Sequence, residues 1–280
     1  MQVYDDTRCQ LGESPLWHPQ RDELLWVDIL DQRLFASNGN DQRSWRFERP
    51  VSAIAWVDCE RLIAADSNEL FVFDLARASR KSICGLEADN VSTRSNDGRA
   101  DPWGGFWVGT MGLQAEVGAG AIYRWYGGEL RQIARGLTVP NATCFDEDRR
   151  RAYFADTVTH RLMTVSVDED GWPTTQPEVF LDTSDEGLLM DGAITDRAGN
   201  IHIACWDASK LITVSPEAEI AAELFVPVQR PTCPAFGGPD AARLYLTSAA
   251  VDLDGELDGL TLSATAHLPG KFEPRVVLAS

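Results

Sequence analysis

The chain is short of positive charge: its 280 residues carry 25 Lys and Arg against 43 Asp and Glu, a formal net charge of −18. A surface of that sign repels nucleic acid and anionic membranes unless basic side chains are concentrated somewhere. The densest basic runs, RASRK at 77–81 and RRR at 149–151, are brief and read as loops, so no nucleic-acid partner is expected. Long apolar runs are missing too. Nothing approaches the roughly 20 consecutive apolar residues of a membrane span. The N-terminus MQVYDDTRCQLGESP carries acidic residues where a secretory leader has an apolar core. No membrane partner is expected, and a cytoplasmic location is the default. The six cysteines (Cys9, Cys59, Cys84, Cys144, Cys205, Cys233) show no CxxC pair and no regular spacing. That argues against a disulfide framework or zinc site and predicts reduced, mostly buried thiols. Extended helical periodicity and a G-x-S-x-G nucleophile elbow are both absent.

What the chain has is repetition. One unit recurs six times, as PLWHPQRDELLWVDI, AIAWVDCERLIAADS, DGRADPWGGFWVGTM, TCFDEDRRRAYFADT, AITDRAGNIHIACW and PAFGGPDAARLYLTSA. Each copy is an apolar run, a turn rich in Asp, Gly, Pro or Arg, and a second apolar run. Equivalent positions in the second run are Trp26, Ala64, Trp107, Phe154, Ile203 and Leu246, separated by 38, 43, 47, 49 and 43 residues. Further strand-like pieces such as ELFVFDL, GAIYRWY, RLMTVSV and KLITVSP lie between copies, so each unit supplies about four strands. Six such units predict an all-β fold, a six-bladed β-propeller with four-stranded blades spanning 1–280 as one domain. QVYDDT before the first copy and RVVLAS after the last suggest closure by pairing the two chain ends in one blade.

In a propeller the first strand of each blade lines the central channel, so residues at the start of each repeat converge on the axis. Glu13, Asp97, Asn141 and Asp191 lie 13, 10, 13 and 12 residues before their respective anchors and so share a phase. Three are carboxylates, whose mutual repulsion is costly without a cation or protons. A bound metal is the economical explanation. Alone, each residue reads as a turn former or a solvated side chain; the site reading comes from the shared phase.

Four segments resemble the regucalcin (senescence marker protein), gluconolactonase and luciferin-regenerating enzyme family: LGESPLW at 11–17, RSNDGRADPWGGFWVGTM at 94–111, TVPNATCFDEDRRRAYFADT at 138–157 and MDGAITDRAGNIHIACW at 190–206. The resemblance runs along essentially the whole chain. It implies one divalent ion held by Glu13, Asn141 and Asp191, and substrate contacts from Arg94, Asn96 and Asp97. Two departures stand out. Ala142 follows Asn141 where the family usually has Gly, and Met190 precedes Asp191 where it usually has Pro. Small backbone adjustments are expected there. The segment GLQAEVGAG at 112–120 is shorter than in the regucalcin branch, where that region covers the sugar pocket.

Glu, Asn and Asp offer only oxygen donors, which suits a hard cation, Ca²⁺ first, with Mg²⁺, Mn²⁺ and Zn²⁺ also compatible. Such an ion polarises a lactone carbonyl and acidifies water, and Asp191 is the expected general base. The expected function is metal-dependent hydrolysis of a sugar lactone, an aldonolactone, to the aldonic acid. The alternative is a non-enzymatic propeller that binds calcium or a partner protein. A paraoxonase-like lactonase would need a histidine dyad, and His18, His160, His202 and His267 do not fall at the site's phase. The nine tryptophans read as blade core, with Trp103 and Trp206 as outside candidates for stacking on a ligand. No oligomeric state is read from the chain.

Overall fold

The computed structural model describes residues 1–278, and its regular structure is strand apart from two three-residue 3-10 turns. Among the described residues, 24 strands form six four-stranded antiparallel sheets arranged in a ring, a six-bladed β-propeller. The inner strands of blades 1 to 6 are Gly12–His18, Val51–Trp56, Thr93–Ala100, Pro140–Asp146, Leu189–Thr195 and Pro231–Gly237. In blades 1 to 5 three further strands follow outward in chain order. Blade 6 takes its outermost strand from the other end of the chain, Gln2–Asp5 paired antiparallel with Thr261–Thr265.

Closure therefore uses the N-terminus as expected, but not RVVLAS. Blade 6 is already complete with Gln2–Asp5, and the C-terminal segment finds its buried slot elsewhere. Val276 donates its N–H to the Trp56 carbonyl and Val277 to the Gly104 carbonyl, each at 2.9 Å, placing them against blades 2 and 3. Ala279 and Ser280 lie outside the described residues.

The six anchor positions all fall in the second strands of their blades, and none is more than 1% exposed. These strands are buried on both faces. Leu25 and Val27 pack with Phe71 and Phe73 of blade 2, while Trp26 between them packs with Tyr245 of blade 6. Strand alternation thus points successive residues into two different interfaces, which is why these segments read as continuous apolar runs. The buried apolar side chains form six clusters, one at each junction between neighbouring blades. Each buried Leu, Val or Phe contributes about 1.5–3 kcal/mol, and the axis itself is left to polar groups.

All six inner strands carry a register irregularity at the same height, between Glu13 and Leu16, Val51 and Ala53, Ser95 and Gly98, Asn141 and Cys144, Met190 and Ala193, and Pro231 and Pro234. A bulge re-aims the side chains beside it. In this ring it does so toward the channel end at which the inner strands begin, the mouth.

The basic runs are only in part the loops expected of them. Arg77, Ala78, Arg149 and Arg150 lie in turns, whereas Ser79–Gly85 is the outer strand of blade 2 and Arg151 opens the second strand of blade 4. Their arginines are spent on neighbours: Arg77 on Asp74, Arg80 on Asp66, Arg149 on Asp146. All six cysteines are free, with four buried, Cys84 half-buried and Cys59 exposed. No helix among the described residues is long and apolar enough to cross a membrane.

Candidate active site at the channel mouth

The bulges bring Glu13, Asn96, Asp97, Asn141 and Asp191 to one level from blades 1, 3, 4 and 5, all buried, with Arg94 half-buried beside them. Glu13 and Asp191 sit in each other's field, and both face the positive charge of Arg94.

A chain of hydrogen bonds fixes how the amides point. Arg94 Nη1 donates to Asn96 Oδ1 at 3.0 Å, and Asn96 Nδ2 donates to the Pro140 carbonyl at 3.1 Å and to Asn141 Oδ1 at 3.0 Å. Asn141 Nδ2 then donates to Thr157 Oγ1 at 2.9 Å, and Thr157 donates to the Met190 carbonyl at 2.7 Å. Because the single hydroxyl proton of Thr157 goes to that carbonyl, Thr157 can only accept from Asn141. The oxygen of Asn141, not its nitrogen, therefore faces the site. The same run ends on the residue before Asp191, so it couples blade 3 to blades 4 and 5.

Burial pushes the Glu13 carboxyl up to about 8, the Asp97 charge adding to it while the Ser14 amide, Arg94 and Arg99 pull it back. Asp191 is raised well above the usual carboxylate range by burial, then by Glu13 and Asp97. Asp97 is also raised by burial, with Arg99 opposing. Burial lowers the Arg94 guanidinium, against the pull of Glu13 and Asp191. A pocket that leaves two carboxylates this short of positive charge, beside an oriented amide oxygen, has the donor chemistry of a hard-cation site. Glu13 keeps Oε1 free, since only Oε2 accepts the Ser14 N–H. No three Asp, Glu, His or Cys side chains form a ready cage among the described residues. Asp97 is tied to the neighbouring blade, its Oδ2 accepting the Thr143 N–H at 2.8 Å.

Backbone shape contributes. Ala142 sits at φ 54°, a left-handed conformation suited to glycine, so the alanine is strained in place. Gly192 is required for another reason: a Cβ there would lie 2.9 Å from the Cα of Cys233 and nearer still to its side chain.

Sequence reasoning missed Thr157, Arg99 and Cys233. Thr157 sits at the end of the ADT triplet and looked like a strand terminus. Arg99 looked like a turn arginine, yet it is buried, with Nε donating to the Thr143 carbonyl at 3.1 Å and Nη2 lying 3.3 Å from Cys233 Sγ. Cys233 falls in the blade 6 bulge and could have been found by extending the phase argument to that blade; burial holds its thiol well up, so it is no nucleophile.

Of the two tryptophan candidates, Trp103 lies beyond the far end of the blade 3 inner strand, edge-on to Phe145 at 6.2 Å, away from the mouth. Trp206 pairs with Leu189 at the mouth end of blade 5 and carries the Arg230 guanidinium over its ring at 4.8 Å. His160 serves as a loop brace, with Nδ1 3.0 Å from the Leu188 carbonyl. The hairpin joining Gly112 to Gly120 sits at the mouth with Val117 93% exposed.

A profile of the SMP-30/Gluconolactonase/LRE-like region matches residues 11–250. The 6-deoxy-6-sulfogluconolactonase of Pseudomonas putida is 30% identical over 273 residues, 94% of each chain. A pentonolactonase of Haloferax volcanii is 33% identical over 258 residues, covering 89% of this chain and 85% of its own. A crystal structure described as a calcium-binding protein, regucalcin, from Agrobacterium tumefaciens superposes with a TM-score of 0.95 at 35% identity, over 99% of this chain and 97% of that one. A luciferin-regenerating enzyme shares the fold with a TM-score of 0.91 at 22% identity, over 97% and 96%. With its six blades and its profile match over most of its length, the chain belongs to the SMP-30/Gluconolactonase/LRE-like family.

Proposed function

We propose that the protein hydrolyses a sugar lactone, an aldonolactone, to the aldonic acid, using one divalent ion held by Glu13, Asn141 and Asp191. The observation that carries this reading is the Arg94–Asn96–Asn141–Thr157 run, which aims an amide oxygen into a buried pocket beside two carboxylates. Relatives named for lactonase activity on sugar acids support the substrate class.

A divalent ion, Ca²⁺ first and Mg²⁺, Mn²⁺ or Zn²⁺ also compatible with these oxygens, would polarise the lactone carbonyl and acidify water. Asp191 takes the proton from the water that attacks the acyl carbon. The ring C–O bond breaks, and the same proton serves the departing alkoxide. Arg94 and Asn96 hold sugar hydroxyls at the mouth, and the free oxygen of Asp97 accepts another. The cytoplasm suits a chain whose six cysteines all remain thiols.

The relative described as calcium-binding favours a second reading, a propeller that only binds the cation. Asn96 serves either reading because it orients Asn141, but a scaffold that only binds a cation has no use for the positive charge of Arg94 beside the carboxylates. The deciding experiment is a panel of aldonolactones assayed by acid release in weakly buffered indicator solution, with chelated and metal-restored protein side by side. Turnover of at least one lactone, lost on chelation and regained with metal, is expected. Metal binding without turnover of any lactone would establish the second reading.

A further inference from the structure

Beyond Thr265 the chain leaves blade 6 and crosses the end of the channel opposite the mouth. Its contacts step round the ring: the Pro269 carbonyl accepts the Arg197 N–H of blade 5 at 3.0 Å, and Lys271 Nζ donates to the Phe145 carbonyl of blade 4 at 3.1 Å. The Glu273 carbonyl accepts Trp56 Nε1 of blade 2 at 2.9 Å. Val276 is then buried between blades 2 and 3, in one cluster with Ala55, Val57 and Trp125. The space left between Lys271–Pro274 and the floor of the channel is about 20 Å³, room for a single water.

Glu273 is the residue this path delivers to the axis. Its carboxylate pairs with Arg99 Nη1, and both side chains are buried. Arg99 has its two other nitrogens on Thr143 and Cys233, so it ties the C-terminal segment to blades 4 and 6 at once. From the same strand Asp97 takes the Thr143 N–H. Residues 97 and 99 therefore hold Thr143 by its amide on one side and its carbonyl on the other. Thr143 belongs to the bulge that includes the strained Ala142 and presents Asn141.

We propose that the C-terminal segment is a positioning element of the mouth site: Glu273 fixes Arg99, and Arg99, with Asp97, holds the backbone of Thr143 on both sides so that the blade 4 bulge keeps Asn141 in place. A buried ion pair and a hydrogen bond to each of the two peptide units flanking one residue are what is needed to hold a backbone in a conformation its alanine disfavours. Groups that orient a ligating side chain typically govern its performance as strongly as the ligand does. The inference rests on the proposed cation site for its Ca²⁺ measurement and on the lactonase reading for its activity measurement, whereas the exchange measurement needs neither.

The test compares E273Q and E273D with wild type and with F71L, a change in the blade 1–2 core that leaves Arg99, Asp97 and Thr143 and their hydrogen bonds untouched. Three quantities are read: amide exchange at Thr143 relative to other inner-strand amides, calorimetric titration with Ca²⁺ alone, and kcat and KM on a turned-over lactone. In E273Q, Thr143 exchange should rise and Ca²⁺ affinity and kcat/KM should fall, each by about tenfold or more, with partial recovery in E273D. F71L should lower Tm while exchange changes evenly along the inner strands. Folded E273Q with Thr143 exchange and Ca²⁺ affinity within about twofold of wild type would overturn the proposal, as would F71L reproducing the same local pattern. If E273Q fails to fold, R99K serves: lysine keeps the charge toward Glu273 but lacks the fork that reaches Thr143 and Cys233 together, and the same local loosening is expected. Should wild type turn over no lactone, the functional reading fails while the exchange and Ca²⁺ measurements still decide this one.

Discussion

Asn96 of blade 3 donates its side-chain amide to Asn141 Oδ1 of blade 4 at 3.0 Å, while the nitrogen of Asn141 is spent on Thr157. In the proposed site one residue thus supports the cation position with its nitrogen while its own oxygen accepts from Arg94.

Asn96→Ala should consequently damage recognition of hydroxylated rings. Wild type is expected to prefer a five- or six-membered aldonolactone over the matching butyrolactone or valerolactone by at least about a hundredfold, since two or three unpaired buried groups cost several kcal/mol. The preference should shrink in the variant. Comparing kcat/KM for the ring pairs checks this, and equal wild-type rates would reduce these residues to turn formers.

Asp191→Asn and Arg94→Ala should separate the two shells. The first removes a proton acceptor and a charged ligand together, so kcat should drop by at least about a hundredfold and divalent affinity should weaken. The second removes the cation that offsets Glu13 and Asp191. KM should rise in that variant while divalent affinity holds or improves. Steady-state kinetics with calorimetric titration of the ion decides, and loss of metal binding in Arg94→Ala would reverse the assignment.

The Glu13 carboxyl makes the metal-free protein sensitive to alkali. Its folded pKa of about 8 lies above the ordinary 4.5, so at intermediate pH the native state retains a proton that the unfolded chain has released. Its contribution is fully present below the ordinary value and is lost as pH rises through about 8. Asp191 and Asp97 shift in the same direction. Chelated protein should lose Tm steadily over that interval, and a saturating divalent ion should flatten the decline because it favours the charged carboxylates. Thermal melts across pH with and without the ion provide the measurement.

The blades were legible because their second strands are buried on both faces, which stamps the same apolar run on the chain six times. The residues proposed for the site stood out because Glu13, Asn141 and Asp191 are polar residues 13, 13 and 12 positions before the anchors of those runs, within segments that resemble the family. Arg99 was not, since its role depends on Cys233 and Glu273, far away in sequence and tied to it by no periodic signal. The C-terminal path was misread for a related reason: RVVLAS has the composition of a strand, and only the prior occupation of blade 6 by Gln2–Asp5 sends it elsewhere.

Ala142→Gly and Gly192→Ala should move stability in opposite directions. Glycine at φ 54° removes left-handed strain of about 1 kcal/mol, so Ala142→Gly should raise Tm with the fold unchanged. Gly192→Ala forces a methyl group against Cys233 and should lower it. Calorimetric melts of both variants check the pair, and a drop in Ala142→Gly would mean that the alanine methyl packs usefully.

The outermost strand of blade 6 carries a consequence for how the molecule is made. Gln2–Asp5 is made before every other described strand of the propeller, and its sheet partner, Thr261–Thr265, after every other one. Blades 1 to 5 can each assemble from contiguous chain as it appears, but the ring must stay open until residue 265 has been made, with Gln2–Asp5 held available throughout. A ribosome stalled before residue 261 would carry five complete blades and an unpaired edge, the arrangement most exposed to pairing with a neighbouring chain.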